Sequence, residues 1–152
     1  MSETSFANKL TASSIAGLVF ALVSLPQVYT KTNALTNNFN VSTFADNCPS
    51  PEGKFLHFAL FFAIEFVIMK IMAMYNYAGM GRKSDGLIAK YALCGALLFF
   101  LLSSTDAYRM TAKLGLNLAD SNGCPKPVGV VVHAAVFVVI LLLKMQYLPK
   151  DE

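Results

Sequence analysis

The chain has 152 residues, 55% hydrophobic and 14% charged, with a formal net charge of +3 and a mean hydropathy of +0.53. A soluble domain carries about 25% charged residues, so this balance points instead to one all-α membrane domain over residues 1–152. Two histidines, two arginines and no tryptophan leave few groups for catalysis, and the scattered Lys and Arg offer no basic patch for nucleic acid.

Crossing about 30 Å of hydrocarbon takes about 20 apolar residues in a helix. The first stretch of that length is Leu10 to Tyr29, with Pro26 predicting a kink or an early end. Pro49 and Pro51 precede the second span, Gly53 to Tyr75, and stand where a helix start tolerates proline. Gly86 to Tyr108 forms the third. Pro125 and Pro127 precede the fourth, Gly129 to Tyr147, and Pro149 follows it. All six tyrosines fall near span ends, as expected for amphipathic rings at the headgroup level.

Four crossings place both termini and the link Asn76 to Asp85 on one side, and the loops Thr30 to Glu52 and Arg109 to Val128 on the other. Seven cations on the terminal side (Lys9, Lys70, Arg82, Lys83, Lys90, Lys144, Lys150) stand against five on the loop side (Lys31, Lys54, Arg109, Lys113, Lys126). This bias puts the termini in the cytoplasm. The sequon Asn40-Val41-Ser42 would then face a lumen.

The chain is written twice. Cys48-Pro49-x-Pro51-x-Gly53-x-x-x-His57-x-Ala59-x-Phe61 recurs as Cys124-Pro125-x-Pro127-x-Gly129-x-x-x-His133-x-Ala135-x-Phe137, at a constant offset of 76. The preceding spans align at an offset of 79, pairing Phe20 with Phe99, Ser24 with Ser103, Tyr29 with Tyr108 and Thr32 with Thr111. Each unit, residues 10–75 and 86–147, is therefore a helix, a loop and a returning helix. Two such hairpins entering the membrane in the same direction form a parallel repeat, and predict a pseudo-twofold four-helix bundle. As the counterpart of span three, span one reads as a retained helix rather than a cleaved leader.

Within the repeated motif, Pro-x-Pro starts the returning helix abruptly and glycine admits a close backbone. Gly53, His57, Phe61 and Glu65 follow at steps of four, matched by Gly129, His133, Phe137 and Leu141, and this face is expected to meet the partner hairpin. His57 and His133 read as rings that hydrogen-bond and fix the loops. A metal site with Cys48 and Cys124, or a proton-passing role, is the competing chemistry. Cys48 and Cys124 lie on one side at equivalent positions, so a disulfide between them is geometrically reasonable, with reduced thiols as the alternative. Cys94 reads as a packing residue.

Glu65 is the acidic residue well inside a span, expected near the level of Gly17 and Ala96 with its carboxyl reaching Ser13 or Ser14; an ion or proton path is the alternative. Lys70 can snorkel toward the terminal side. No nucleotide fingerprint, zinc-peptidase motif, nucleophile elbow or Cys-x-x-Cys pair is present. Neither an enzyme activity, a cofactor, a metal nor a small-molecule substrate is expected.

Two stretches carry a family resemblance: Val23-Ser24-Leu25-Pro26-Gln27-Val28-Tyr29-Thr30-Lys31-Thr32-Asn33, closing span one, and the Cys-Pro-x-Pro-x-Gly-x-x-x-His box opening spans two and four. Together they resemble the small tetraspan membrane proteins of large icosahedral nucleocytoplasmic DNA viruses, the chlorovirus type in particular. The departure is Ser104-Thr105-Asp106 where a second Leu-Pro-Gln would stand. The resemblance implies a minor capsid protein in the virion's internal membrane that couples bilayer to shell. It also implies passage through a host endoplasmic-reticulum-derived membrane, and lipid and other capsid or virion membrane proteins as partners. It carries over no active site. A small ion or proton channel using Glu65, His57 and His133 is the alternative reading.

Overall fold

The computed structural model describes residues 5–147; Pro149 and Lys150 lie outside them. Six α-helices account for most of this range: α1 (Phe6–Ser24), α2 (Pro26–Thr36), α3 (Pro51–Met74), α4 (Asp85–Leu102), α5 (Thr105–Ala112) and α6 (Pro127–Tyr147). The helices α1, α3, α4 and α6 are long and apolar enough to cross a membrane, with mean hydropathies from 1.5 to 2.6. The protein is an all-α, multi-pass membrane protein.

The two hairpins break at the same place by different means. Pro26 has no N–H to give, and it forces Leu25 into extended backbone at ψ 134°, so α1 stops at Ser24 and Pro26 opens α2. The expected span Leu10 to Tyr29 is thus two helices, and Tyr29 belongs to the second. In the other hairpin, Ser104 turns extended at ψ 148° and its hydroxyl accepts the Ala107 N–H at 3.1 Å. That serine cap opens α5 as the proline opens α2. The expected span Gly86 to Tyr108 is likewise divided, and the transmembrane part ends at Leu102.

The returning helices begin where the Pro-x-Pro motif predicts. Ser50 caps α3 by accepting the Gly53 N–H at 2.9 Å, with Pro51 in the first turn. On the terminal side, Lys70 of α3 meets Asp85 at the start of α4 at 2.5 Å, a polar contact between the two hairpins.

Packing follows the repeat. The closest pairings are α3 along α4 and α1 along α6, while α1 meets α3 and α4 meets α6 less extensively. Exchanging α1 with α4 and α3 with α6 leaves that pattern unchanged, as a twofold relation requires. Gly17 permits the α1–α6 approach, because a methyl group there would collide with Val138.

At the centre lie Phe20, Phe61, Phe99 and Phe137, each 0% exposed. Phe20 and Phe99 are repeat equivalents, as are Phe61 and Phe137, and each pair meets edge-on, at 5.3 and 5.8 Å between ring centroids. Phe61 stacks on Phe99 at 4.6 Å and Phe20 lies against Phe137 at 5.0 Å. Offset and edge-to-face contacts of this kind add about 0.5–1.5 kcal/mol per pair beyond burial. Leu18, Leu22, Leu97 and Leu101, by contrast, point outward from the same helices, as side chains bathed in lipid do.

Truncating a ring of the tetrad leaves a cavity its neighbours cannot refill. Phe61→Ala or Phe137→Ala is expected to lower stability by about 3 kcal/mol, and Leu22→Ala to change it by less than about 0.5 kcal/mol. Reversible unfolding of the reconstituted protein measures both. Equal effects at the ring and at Leu22 would show that the tetrad is not the core.

Candidate functional site

On the loop side each hairpin contains the same small polar cluster. Ending α1 at Ser24 leaves the Val23 carbonyl without its in-helix donor, and His57 Nδ1 takes that place at 2.8 Å. A carbonyl only accepts, so Nδ1 carries the proton. Nε2 of the same ring pairs with the Thr32 hydroxyl at 2.9 Å, and Tyr29 stacks on the imidazole at 3.5 Å between centroids, 6° from parallel. In the second hairpin His133 Nδ1 meets the Leu102 carbonyl at 2.7 Å, its Nε2 meets Thr111 at 2.9 Å, and Tyr108 stacks at 4.1 Å.

The histidines therefore serve their own hairpins, which corrects the expectation that their face meets the partner. That face divides: Gly53 and His57 turn to their own loop, and Phe61 alone of this upper part reaches across to Phe99 and Phe137. Gly53 lies against the Thr43 carbonyl and Gly129 against that of Leu118, where any side chain would collide. The same two carbonyls accept the Ser50 and Lys126 N–H groups at 3.1 and 3.0 Å. In the first loop, two short strands, β1 (Phe44–Ala45) and β2 (Cys48–Pro49), pair antiparallel. Ala119 and Pro125 form the corresponding bridge in the second loop.

Cys48 and Cys124 are joined by a disulfide, with Cα atoms 5.0 Å apart and 76 residues between them in sequence. Pro49 and Pro125, the residues after them, are buried, whereas Pro51 and Pro127 are exposed at the helix starts. The two-Cys, two-His metal site weighed from the sequence is not assembled. The sulfurs bond each other, each histidine faces a carbonyl and a threonine, and no cluster of three or more His, Cys, Asp or Glu suited to a metal occurs among the described residues. Cys94 accepts a hydrogen bond from Lys144 Nζ at 2.5 Å.

Tyr29 and Tyr108 are not headgroup anchors. They are 1% and 0% exposed, their hydroxyls have no hydrogen-bond partner, and burial pushes both phenols above their ordinary range. Their place beside the histidines was missed in the sequence, although the repeat pairs Tyr29 with Tyr108 and Thr32 with Thr111. Glu65 is 2% exposed with Oε1 unpartnered. The hydrogen bond expected to Ser13 or Ser14 does not form; the Ser13 hydroxyl instead donates within α1, to the Lys9 carbonyl at 2.9 Å and that of Leu10 at 3.1 Å.

Removing either imidazole strips a buried carbonyl of its donor, so His57→Ala and His133→Ala are each expected to cost about 2 kcal/mol, and by similar amounts because the two sites match. A large cost at one site only, in unfolding measurements of both variants, would contradict the equivalence. Glu65→Leu puts the residue of the second repeat, Leu141, into the first and removes a buried carboxyl whose Oε1 has no hydrogen-bond partner. Its stability is expected to equal or exceed that of the parent chain; a drop of several degrees in Tm would mean that the carboxyl makes a contact the fold requires.

Comparison with protein-family models, with curated proteins and with solved structures finds no match to the chain.

Proposed function

We propose that the protein is a structural component of the internal lipid membrane of a large icosahedral virus particle, helping to couple that membrane to the capsid shell. The observation that carries the structural part of this reading is the phenylalanine tetrad, which fills the middle of the bundle with rings that are 0% exposed. A conducting protein needs a polar path at that level. Here the histidines hold loop carbonyls, the cysteines hold each other, and Glu65 sits on a helix whose next buried residue toward the loop is Phe61.

The viral part of the reading rests on the resemblance of the Val23–Asn33 segment and the doubled Cys-Pro box to tetraspan virion proteins. Short loops and a compact apolar bundle suit a membrane packed with protein. The disulfide requires the loop side to be assembled in an oxidising compartment, which agrees with a chain inserted into an endoplasmic-reticulum-derived membrane with cytoplasmic termini. On this reading the cationic Arg82-Lys83 link and the disulfide-tied loops offer the neighbour-facing surfaces on the two sides.

Two measurements test the proposal together. Mass spectrometry of purified particles should find the chain in fixed ratio to the major shell protein and in the detergent-soluble membrane fraction. Liposomes holding the purified protein should pass protons and monovalent ions no faster than empty ones. Flux that disappears in Glu65→Gln would replace the scaffold reading with the channel.

A further inference from the structure

Alongside α6 runs a crevice of about 210 Å³, walled by the carbon side chains of Leu102, Ala107, Met110, Val132 and Val136. The two polar residues of its wall, Thr111 and His133, are bonded to each other, so nothing polar in it awaits a partner. Leu102 ends the α4 span, and Val132 and Val136 lie on the α6 span. Val136 is 42% exposed and Leu101, beside Leu102, is 65% exposed. In a bilayer, acyl chains surround both.

The other wall of the crevice is α5, an amphipathic helix of eight residues that follows directly from the end of a span. Met110 and Leu114 are 70% and 72% exposed, and Asp106, Arg109 and Lys113 share the exposed surface with them. Arg109 is held by Asp106 at 3.3 Å and by the Asn122 carbonyl at 3.0 Å. A short helix that starts where a span stops, with Met110 on its exposed surface, Leu114 just beyond its end and a charged edge, has the pattern suited to the plane of the membrane interface. The exposed part of Met110 is continuous with the lipid-facing surface of Val136 through the crevice they share.

We infer that α5 is an interfacial helix roofing a binding site for the acyl chain of a bilayer lipid, with the chain lying against Met110, Val132 and Val136. The site belongs to the second hairpin. At the equivalent positions of the first, Lys31 replaces Met110, Leu56 replaces Val132 and Leu60 replaces Val136, which puts a cation where the methionine would be and more bulk on the opposite wall. This inference concerns lipid alone and holds whether or not the protein resides in a virion.

The chain has no tryptophan, so a single introduced indole reports its own surroundings without background. The full-length M110W protein, and L114W as a second reporter in the turn just after the helix, are placed in nanodiscs of phosphatidylcholine with or without bromine on the acyl chains. L101W, on the lipid-facing side of α4, is the reference. Blue-shifted emission from M110W, quenched by brominated chains at least half as strongly as L101W and little affected by aqueous iodide, is the expected result. Quenching by iodide with none from bromine would place the helix in water and overturn the inference. Blue emission insensitive to bromine would mean that protein covers this face, and would overturn it equally.

Discussion

A helix that breaks inside or at the edge of hydrocarbon leaves carbonyls with no water to bond, and the fold is arranged around that constraint. The breaks at Leu25 and Ser104 free the carbonyls of Val23 and Leu102. Each is met by an imidazole from the returning helix of the same hairpin, and each imidazole is fixed in turn by a threonine and a tyrosine of the short helix beyond the break. The histidine thus joins three elements at one point: the end of the outgoing span, the short helix and the start of the returning span. The glycine one turn earlier lets the loop backbone close over that point.

Polar and apolar contacts divide the work between them. The buried polar contacts of the histidines are made within a hairpin, where local geometry sets their direction. The two hairpins are joined at the centre through the stacked phenylalanines and the close α1–α6 packing at Gly17, between loops by one covalent bond, and at the ends of the bundle by Lys54 to Thr105, Lys9 to Gln146 and the Lys70–Asp85 pair. Lipid tails are as apolar as the helix surfaces, so apolar area alone gives helices no reason to associate. Shape must do so instead, through interdigitated rings at the centre and small residues such as Gly17 and Ala96 where backbones come close.

The number of spans and the duplication were legible because each leaves a signal in composition or spacing, whereas the equivalence of Cys48 and Cys124 made a disulfide reasonable without deciding between it and reduced thiols. Apolar length gives the spans, and an ungapped recurrence of Cys, Pro, Gly and His gives the repeat. The break between α4 and α5 was not legible as a counterpart of Pro26, since a serine cap and a proline achieve one backbone outcome with no residue in common. Tyr29 and Tyr108 were misread because an aromatic residue near a span end suits the headgroup level equally well; only the turn of backbone ahead of them sends them inward. The surroundings of Glu65 were not legible, because position along a helix does not give azimuth: Gly17 lies against Val138 of α6, and the Ser13 hydroxyl is taken by carbonyls of its own helix.

The repeat has an implication for how such a bundle could come to exist. The main apolar contacts between the halves are exchanged by the repeat, α1 with α6 matching α4 with α3 and the phenylalanines meeting their own equivalents, while polar contacts such as Lys54 to Thr105 and Lys70 to Asp85 have no counterpart. Two separate copies of an ancestral half-length hairpin would find in each other the same surfaces, with the axis running between chains instead of through one. Fusion through a short tether then fixes stoichiometry and lets the two halves diverge, so that one keeps a carboxyl at Glu65, or a methionine at Met110, where its twin has Leu141 or Lys31.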